Sequence, residues 1–350
     1  MLLSWPKTNT SADGTVVPAI ADAQPAISVR AIAAIEDAAA AAARLDATVR
    51  PEHRGALALL EAQASSAIEG IYADPLEILT AIALGVRRGP SGLVASNALM
   101  VGAAASTAGS PTAALDLHEM LMSETASQHA GQLRTVGVYI GTPTRIHFMP
   151  PRPAALPDAL ADLALFNARR DLPVIASAAI AHAQFETIHP FVDGNGRVGR
   201  ALLGARLVGD TLGMTFVPLS IGLHVKREAY VAALIAYRGG DVNPVIQVVA
   251  SAVVMGASRA LTVCRQLDAA RRELIVRLGG ARADSGARKL AASLVHHPVI
   301  NAAQAQTVLE ASNVHRHITT LVDAGILAPH TPDLERNQRW YAPDVITVFG

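Results

Sequence analysis

Residues 189–200 read HPFVDGNGRVGR, and within them Gly194, Gly196 and Gly199 spell G-x-G-x-x-G. This glycine spacing seats a pyrophosphate in dinucleotide-binding βαβ units, which need a strand running into the glycines and a helix running out. The outgoing helix agrees with the sequence. The incoming strand does not, because ASAAIAHAQFETI (176–188) is alanine-rich and places Ala178, Ala181, Phe185 and Ile188 at helical intervals. Nor does the sequence downstream supply the alternating strands of a doubly wound sheet. The chain must fold with this glycine loop between two helices.

Composition points the same way. Of 350 residues, 51% are hydrophobic but only 4% aromatic, and the excess of alanine favours packed helices over a β-sandwich. The expected fold class is mainly α, with room for two or three domains. Lys+Arg and Asp+Glu both total 29, so the whole chain carries no electrostatic footprint for nucleic acid or an anionic membrane. A single cysteine, Cys264, excludes an internal disulfide framework and a cysteine zinc site, and reads as a small buried apolar residue in a reducing, cytoplasmic setting. MLLSWPKTNT lacks the layout of a secretory signal. The apolar runs 201–214 and 245–257 read as core helices: charge interrupts the first, and the second is too short to span a bilayer.

Along the chain, residues 1 to about 30 show no period and read as an irregular arm. Helices are expected over 29–45 and 52–73, with Asp74 and Pro75 capping and opening a third. GPSG (89–92) reads as a turn, and 112–124 as another helix. GQLRTVGVYIGTPTRIHFMPPRP (131–153) differs: Val136, Val138 and Ile140 alternate, GTPT turns, and Ile146 and Phe148 alternate again, which predicts a β-hairpin over 134–150. An isolated hairpin is marginal alone, so it must lie on the helical body with one edge open. Further helices are expected at 197–209, 226–237 and 243–261. The last 65 residues predict a helix-turn-helix, with Ser312 as N-cap and Gly325 as stop, followed by a wing-like hairpin.

Taken as a loop between helices, HPFVDGNGRVGR gives each residue type a task. Backbone N–H groups around Gly194 and Gly196 form an anion nest at a helix N-terminus. Arg197 and Arg200 share a face and suit further phosphates, Asn195 offers an amide N–H, and Asp193 is the oxygen ligand for a Mg²⁺ bridging two phosphates. His189, with an ordinary pKa of about 6.5, suits proton abstraction from a hydroxyl. The alternative, a polar turn with an N-capping Asp193 and a buried histidine, explains each residue singly but not their coincidence within twelve positions.

The segment resembles the motif of Fic-domain proteins, HPFx(D/E)GNGRxxR, at every defining position: His189, Pro190, Phe191, Asp193, Gly194, Asn195, Gly196, Arg197 and Arg200. The resemblance implies a Fic-type helical bundle with a flap hairpin, and transfer of AMP from ATP to a Ser, Thr or Tyr hydroxyl of a target protein, with Mg²⁺ as cofactor. By that resemblance His189 deprotonates the hydroxyl, Asp193 holds Mg²⁺, Asn195 and the nest of Gly194 and Gly196 bind the α- and β-phosphates, and Arg197 stabilises phosphate charge. Arg200 reaches the γ-phosphate, and Phe191 is a core anchor. GQLR before VGVYIG looks like the family's entry to its flap, which aligns a target segment as an added strand. Tyr230 stands where relatives carry an aromatic near the nucleotide base.

Ser65, Glu69 and Gly70, in ASSAIEGI, resemble the family's inhibitory motif (S/T)xxxE(G/N). The resemblance implies that Glu69 pairs with Arg200 and keeps the resting protein weakly active; the same carboxylate could instead position a water for removal of AMP, and the sequence leaves both open. Three domains are expected: an N-terminal helical region, 1–110, carrying the inhibitory motif; a Fic core, 111–262; and a winged helix-turn-helix-like domain, 280–350. In the last, five basic residues face five acidic ones from Ser285 onward, which favours protein contact over DNA despite Arg316, Thr319 and Thr320 on the second helix. A nucleotide-sensing transcriptional regulator is the rival reading. The sequence points to no membrane and leaves a homodimer open.

Overall fold

A computed structural model of the protein describes residues 5–11, 14–107, 112–142, 144–208, 216–279, 285–330 and 338–350. Two short strands, β1 (Asn9–Ser11) and β2 (Gly14–Val16), pair antiparallel ahead of α1 (Val29–Asp46). Then come α2 (Arg54–Ile68), α3 (Pro75–Leu84), α4 (Gly89–Thr107) and α5 (Ala113–Met122), followed by β3 (Ile140–Thr142) and β4 (Arg145–Phe148). The central helices are α6 (Leu156–Asn167), α7 (Val174–Ile188), α8 (Asn195–Leu207), α9 (Ser220–Val225), α10 (Arg227–Arg238) and α11 (Asn243–Arg277). The C-terminal unit runs α12 (Gly286–Ser293), β5 (Val299–Asn301), α13 (Ala302–Leu309), α14 (His315–Asp323), β6 (Ala328–Pro329), β7 (Arg339–Tyr341) and α15 (Pro343–Ile346). Its strands form an antiparallel sheet in the order β5-β7-β6. The mainly α expectation holds.

Local chemistry explains the helix ends. Ser28 caps α1 by accepting the Ala31 N–H, and Asp74 caps α3 by accepting that of Leu76, with Pro75 in the first turn as expected. The alanine-rich α7 is buried at every position from Ile175 to Ile188, so it is wrapped on all sides. Long α11 packs against α1, α7, α9, α10 and α12 and braces the body.

Several expectations are corrected. GPSG is no turn between elements: Gly89, at φ 70°, opens α4 and Pro90 lies in its first turn, where a missing N–H costs nothing. The hairpin is shorter than 134–150, because Arg134 ties the chain before it to the helical body. The helix expected at 243–261 continues to Arg277, and α11 is thereby long and apolar enough to cross a membrane by length and composition. More than half of its apolar window is buried in the protein. In the C-terminal unit Val314, not Ser312, precedes α14, and Ser312 instead offers its carbonyl to Gln306. Arg316, Thr319 and Thr320 are exposed on α14, as expected, while the turn of the expected wing falls in 331–337, outside the described residues.

The arm is also more ordered than its sequence suggests. Asp162 of α6 accepts the N–H groups of Ile20 (2.7 Å) and Ala21 (3.1 Å), and Gln184 of α7 donates to the Pro18 carbonyl (2.9 Å). Trp5 is buried edge-on against Phe166 and tilted over Tyr237. Truncating such a buried aromatic typically costs about 3–5 kcal/mol. Trp5→Ala is therefore expected to lower the urea midpoint strongly and to open the arm to proteolysis; an unchanged midpoint would contradict this anchoring.

Candidate active site

The site is the join between α7 and α8. The α7 helix stops because His189 turns left-handed, at φ 51° and ψ 64°, while its N–H still closes on the Phe185 carbonyl at 2.8 Å. Gly194, at φ 82°, sets the entry to α8, and no side chain of the described residues caps that helix. The N–H groups of its first turn, at Asn195, Gly196 and Arg197, have no acceptor within the helix and form an anion site.

Three side chains hold the loop. Asn195 is buried, accepts the Phe191 N–H at 2.8 Å and donates to the Phe191 carbonyl at 2.9 Å. This corrects its expected role: the amide is committed to the loop rather than presented to a phosphate. His118 of α5 stacks on Phe191, with centroids 3.8 Å apart and planes at 1°. Its Nδ1 accepts the Gly131 N–H at 3.0 Å, so its Nε2 donates to the Asp193 carbonyl at 3.1 Å. Arg134 donates to the carbonyls of His189 (2.8 Å), Val136 (3.1 Å) and Pro151 (2.6 Å), riveting the base of the flap to the loop. Phe191 is fully buried, the core anchor expected.

The glycines of G-x-G-x-x-G answer to three separate constraints. Gly194 needs its left-handed turn. A Cβ on Gly196 would lie 2.2 Å from Glu69 Oε1 and 2.8 Å from Arg200 Nη1. One on Gly199 would lie 2.7 Å from Glu186 Oε1 and 3.0 Å from Phe185 Cδ1, so this glycine lets α8 approach α7.

Arg200 is almost wholly buried; it meets Glu69, as the motif implies, and also Ser65. Its Nη2 donates to Glu69 Oε1 at 2.7 Å and to the Ser65 carbonyl at 2.9 Å, and its Nε donates to Ser65 Oγ at 2.9 Å. Gly70, at φ 77°, ends α2 directly after Glu69 and so leaves that carboxylate facing Arg200 and the first turn of α8. Burial opposes the charge on Arg200, but Glu69 above all, then Tyr230 and Glu186, offset it and raise the pKa on balance. Arg197 is buried, with Nε and Nη1 lacking partners among the described residues and only a 3.4 Å contact from Nη2 to Asp193. Asp193 is the open member, 69% exposed at its side chain.

Behind the loop lies a buried polar group that the sequence reading did not single out. His182, Glu186 and His189 follow one another at intervals of four and three along α7 and its C-cap, a titratable stripe on a largely apolar helix. That spacing was the available signal. Tyr230 is buried, its hydroxyl 2.7 Å from His182 Nε2 and its ring stacked on His182, which corrects the expectation of a contact with the nucleotide base. Burial pushes the Glu186 carboxyl up to about 7, with Arg200 opposing and Glu69 adding to the rise. It pushes the His182 ring down to about 3. The His189 ring falls to about 4, chiefly by burial; the nearby Glu186 carbonyl opposes this, and Arg134 and Arg238 reinforce it.

Comparison with known proteins now bears on this geometry. The Fic/DOC family profile matches residues 109–207. Residues 109–207 form a Fic/DOC-type domain. The chain is 31% identical over 139 residues to the protein adenylyltransferase fic-1 of Caenorhabditis briggsae, covering 39% of this chain and 25% of that protein. It is 39% identical over 88 residues to a probable protein adenylyltransferase of Aquifex aeolicus, covering 25% of each. The chain thus spans about a quarter of the length of these curated relatives. Its fold is similar to that of a Fic family protein from Desulfovibrio desulfuricans G20, with TM-score 0.61 and 23% identity over 91% of this chain and 98% of that one.

The depressed pKa gives His189 of this Fic domain a definite pH behaviour. Its folded value, about 4, lies below the unfolded value of about 6.5. Its contribution to stability is therefore fully present above pH 6.5 and is lost as pH falls toward 4. Titration of labelled histidines by NMR is expected to show His189 neutral down to about pH 5; a midpoint near 6.5 would contradict the burial described.

Proposed function

We propose that this protein is an autoinhibited adenylyltransferase, transferring AMP from ATP to a Ser, Thr or Tyr hydroxyl of a target protein. In this reading the hydroxyl oxygen attacks the α-phosphorus, the bond to the β-phosphate breaks, and pyrophosphate leaves with the bonding pair. His189, neutral at pH 7, takes the hydroxyl proton. The open N–H groups of the first turn of α8 hold α- and β-phosphate oxygens, the unpartnered nitrogens of Arg197 take further phosphate charge, and Arg200 binds the γ-phosphate. The names of the curated relatives support the reaction type.

A Mg²⁺ requirement is part of the proposal. This ion typically takes one or two protein carboxylates and completes its shell with waters and phosphates, and an exposed Asp193 beside the anion nest suits that pattern. Bound there, it would neutralise phosphate charge. The flap fits target alignment: Val136, Tyr139 and Ile146 are exposed along the hairpin and its approach, where an added strand would run. We read 1–110, 111–262 and 280–350 as inhibitory region, catalytic core and winged-helix-like contact domain. Docking of the last on α3, where Gln304 donates to the Ala83 carbonyl at 2.8 Å, supports a protein-contact role.

One observation carries the autoinhibition. Glu69 Oε1 lies 2.7 Å from Arg200 Nη2 and directly over Gly196, so the carboxylate stands where phosphate oxygens are to bind. A hydrogen bond between charged groups is worth about 1.5–3 kcal/mol, or roughly 10- to 100-fold, and solvent at Glu69 pulls toward the lower end. Glu69→Gly is accordingly expected to raise AMP transfer by roughly tenfold or more. With ATP labelled at the α-phosphate, covalent label is expected and His189→Ala abolishes it. Label from the γ-phosphate instead would mean a kinase, and equal rates in parent and Glu69→Gly protein would refute the inhibition.

A further inference from the structure

Glu186 takes no part in the chemistry above, yet its burial demands an explanation. A carboxyl group in an apolar interior is costly unless paired, and Oε1 of Glu186 has no hydrogen-bond partner among the described residues. One unsatisfied group within reach is on the base itself. His189 Nδ1 is also buried; it has the Glu186 backbone carbonyl nearby but no well-formed hydrogen bond, and lies 3.9 Å from Glu186 Oε2. Two buried groups of complementary chemistry, the carboxyl and the ring nitrogen, thus lie just beyond hydrogen-bond range of each other, one turn apart. Since Nδ1 is the enclosed nitrogen, Nε2 is the one left for an acceptor hydroxyl.

We propose that Glu186 is a positioning residue for AMP transfer: its carboxylate takes the Nδ1–H of His189, fixing the tautomer that presents Nε2 to the hydroxyl and stabilising the imidazolium formed there. This rests on the adenylyltransferase reading. The step balances, because the hydroxyl proton moves to Nε2 while the proton on Nδ1 stays where it is, held by Glu186. The groups facing Glu186 also tie it to the inhibitory contact. On its own helix these are His182 and His189; from α8 comes Arg200, from α10 Arg238 and Tyr230, and from the end of α2 Glu69. Arg134 faces His189 from the base of the flap. Two carboxylates, Glu69 and Glu186, therefore act on one buried guanidinium, and each disfavours ionisation of the other. Burial holds Glu186 toward its neutral form, raising its pKa to about 7, and Glu69 on Arg200 adds to that rise. Departure of Glu69 removes one of the influences that hold Glu186 neutral, burial being the larger, and so favours its ionised form as Arg200 is freed. Arg238 extends the link to the flap, its guanidinium lying 3.9 Å over the ring of Phe148.

The test uses the full chain in the Glu69→Gly background. Glu186→Gln keeps shape and removes charge. It is expected to lower kcat roughly 10- to 100-fold, since positioning the base carries only part of the roughly 100- to 10,000-fold that general-base catalysis supplies, with KM for ATP unchanged. The acid limb of kcat should move to lower pH, because the imidazolium loses its carboxylate. Glu186→Asp is expected to lose less than Glu186→Gln, and it also serves if the Gln variant fails to fold: a withdrawn carboxylate should still cut kcat, whereas an unchanged kcat overturns the proposal. A Gln variant with the kcat and acid limb of its background likewise overturns it and leaves the Glu186 backbone carbonyl as the holder of Nδ1. Should Glu69→Gly protein transfer no AMP at all, the functional reading falls separately. NMR titration of His189 then decides the positioning role on its own: a midpoint lowered by Glu186→Gln supports it, and an unmoved midpoint excludes it.

Discussion

The site is organised around one buried guanidinium. Arg200 is 1% exposed in an apolar interior, and a charge so placed must be compensated locally. In this structure the compensation comes from Ser65 and Glu69, more than a hundred residues earlier in the chain. Much else follows from serving that pair. The α2 helix must end at Gly70 so that Glu69 faces inward, and Gly196 must lack a side chain so that the carboxylate can sit on the first turn of α8. A polyphosphate offers Arg200 the same negative charge that Glu69 does. Inhibition and substrate binding are thus two solutions to one electrostatic need, and this is why a single carboxylate can control the site.

The loop around this pair is rigid for a different reason. Its backbone is held by buried polar side chains, Asn195, His118 and Arg134, each hydrogen-bonded to main-chain groups of the loop or the flap base. The base is therefore placed by contacts from α5, the flap entry and α8 together. A left-handed His189 persists because those contacts over-determine it.

What the sequence revealed depended on whether a signal was local. The helix into the glycines was readable from the spacing of Ala178, Ala181, Phe185 and Ile188, and the hairpin from alternation about GTPT. The pairing of Glu69 with Arg200 was readable only because two motifs, each local, resemble one family. Burial was the blind spot. Asn195 and Tyr230 have side chains able to reach a ligand, but α8 and α10 turn them into the interior, where their polar atoms bind Phe191 and His182 instead. Glu186 was overlooked because a carboxylate on an alanine-rich helix ordinarily faces water, and only the wrapping of α7 on all sides reverses that. The ordered arm depends on Asp162 and Gln184, partners far along the chain that no local pattern announces.

The central claim is that Glu69 and the terminal phosphate of ATP compete for Arg200. Crystal structures of the parent and of Glu69→Gly, each with Mg²⁺ and a non-hydrolysable ATP analogue, address it most directly. The competition predicts that only the variant places the γ-phosphate on Arg200, while in the parent the Glu69–Arg200 pair stays closed and the phosphate chain lies elsewhere. An identical phosphate pose in both proteins, with the pair intact in the parent, would contradict it.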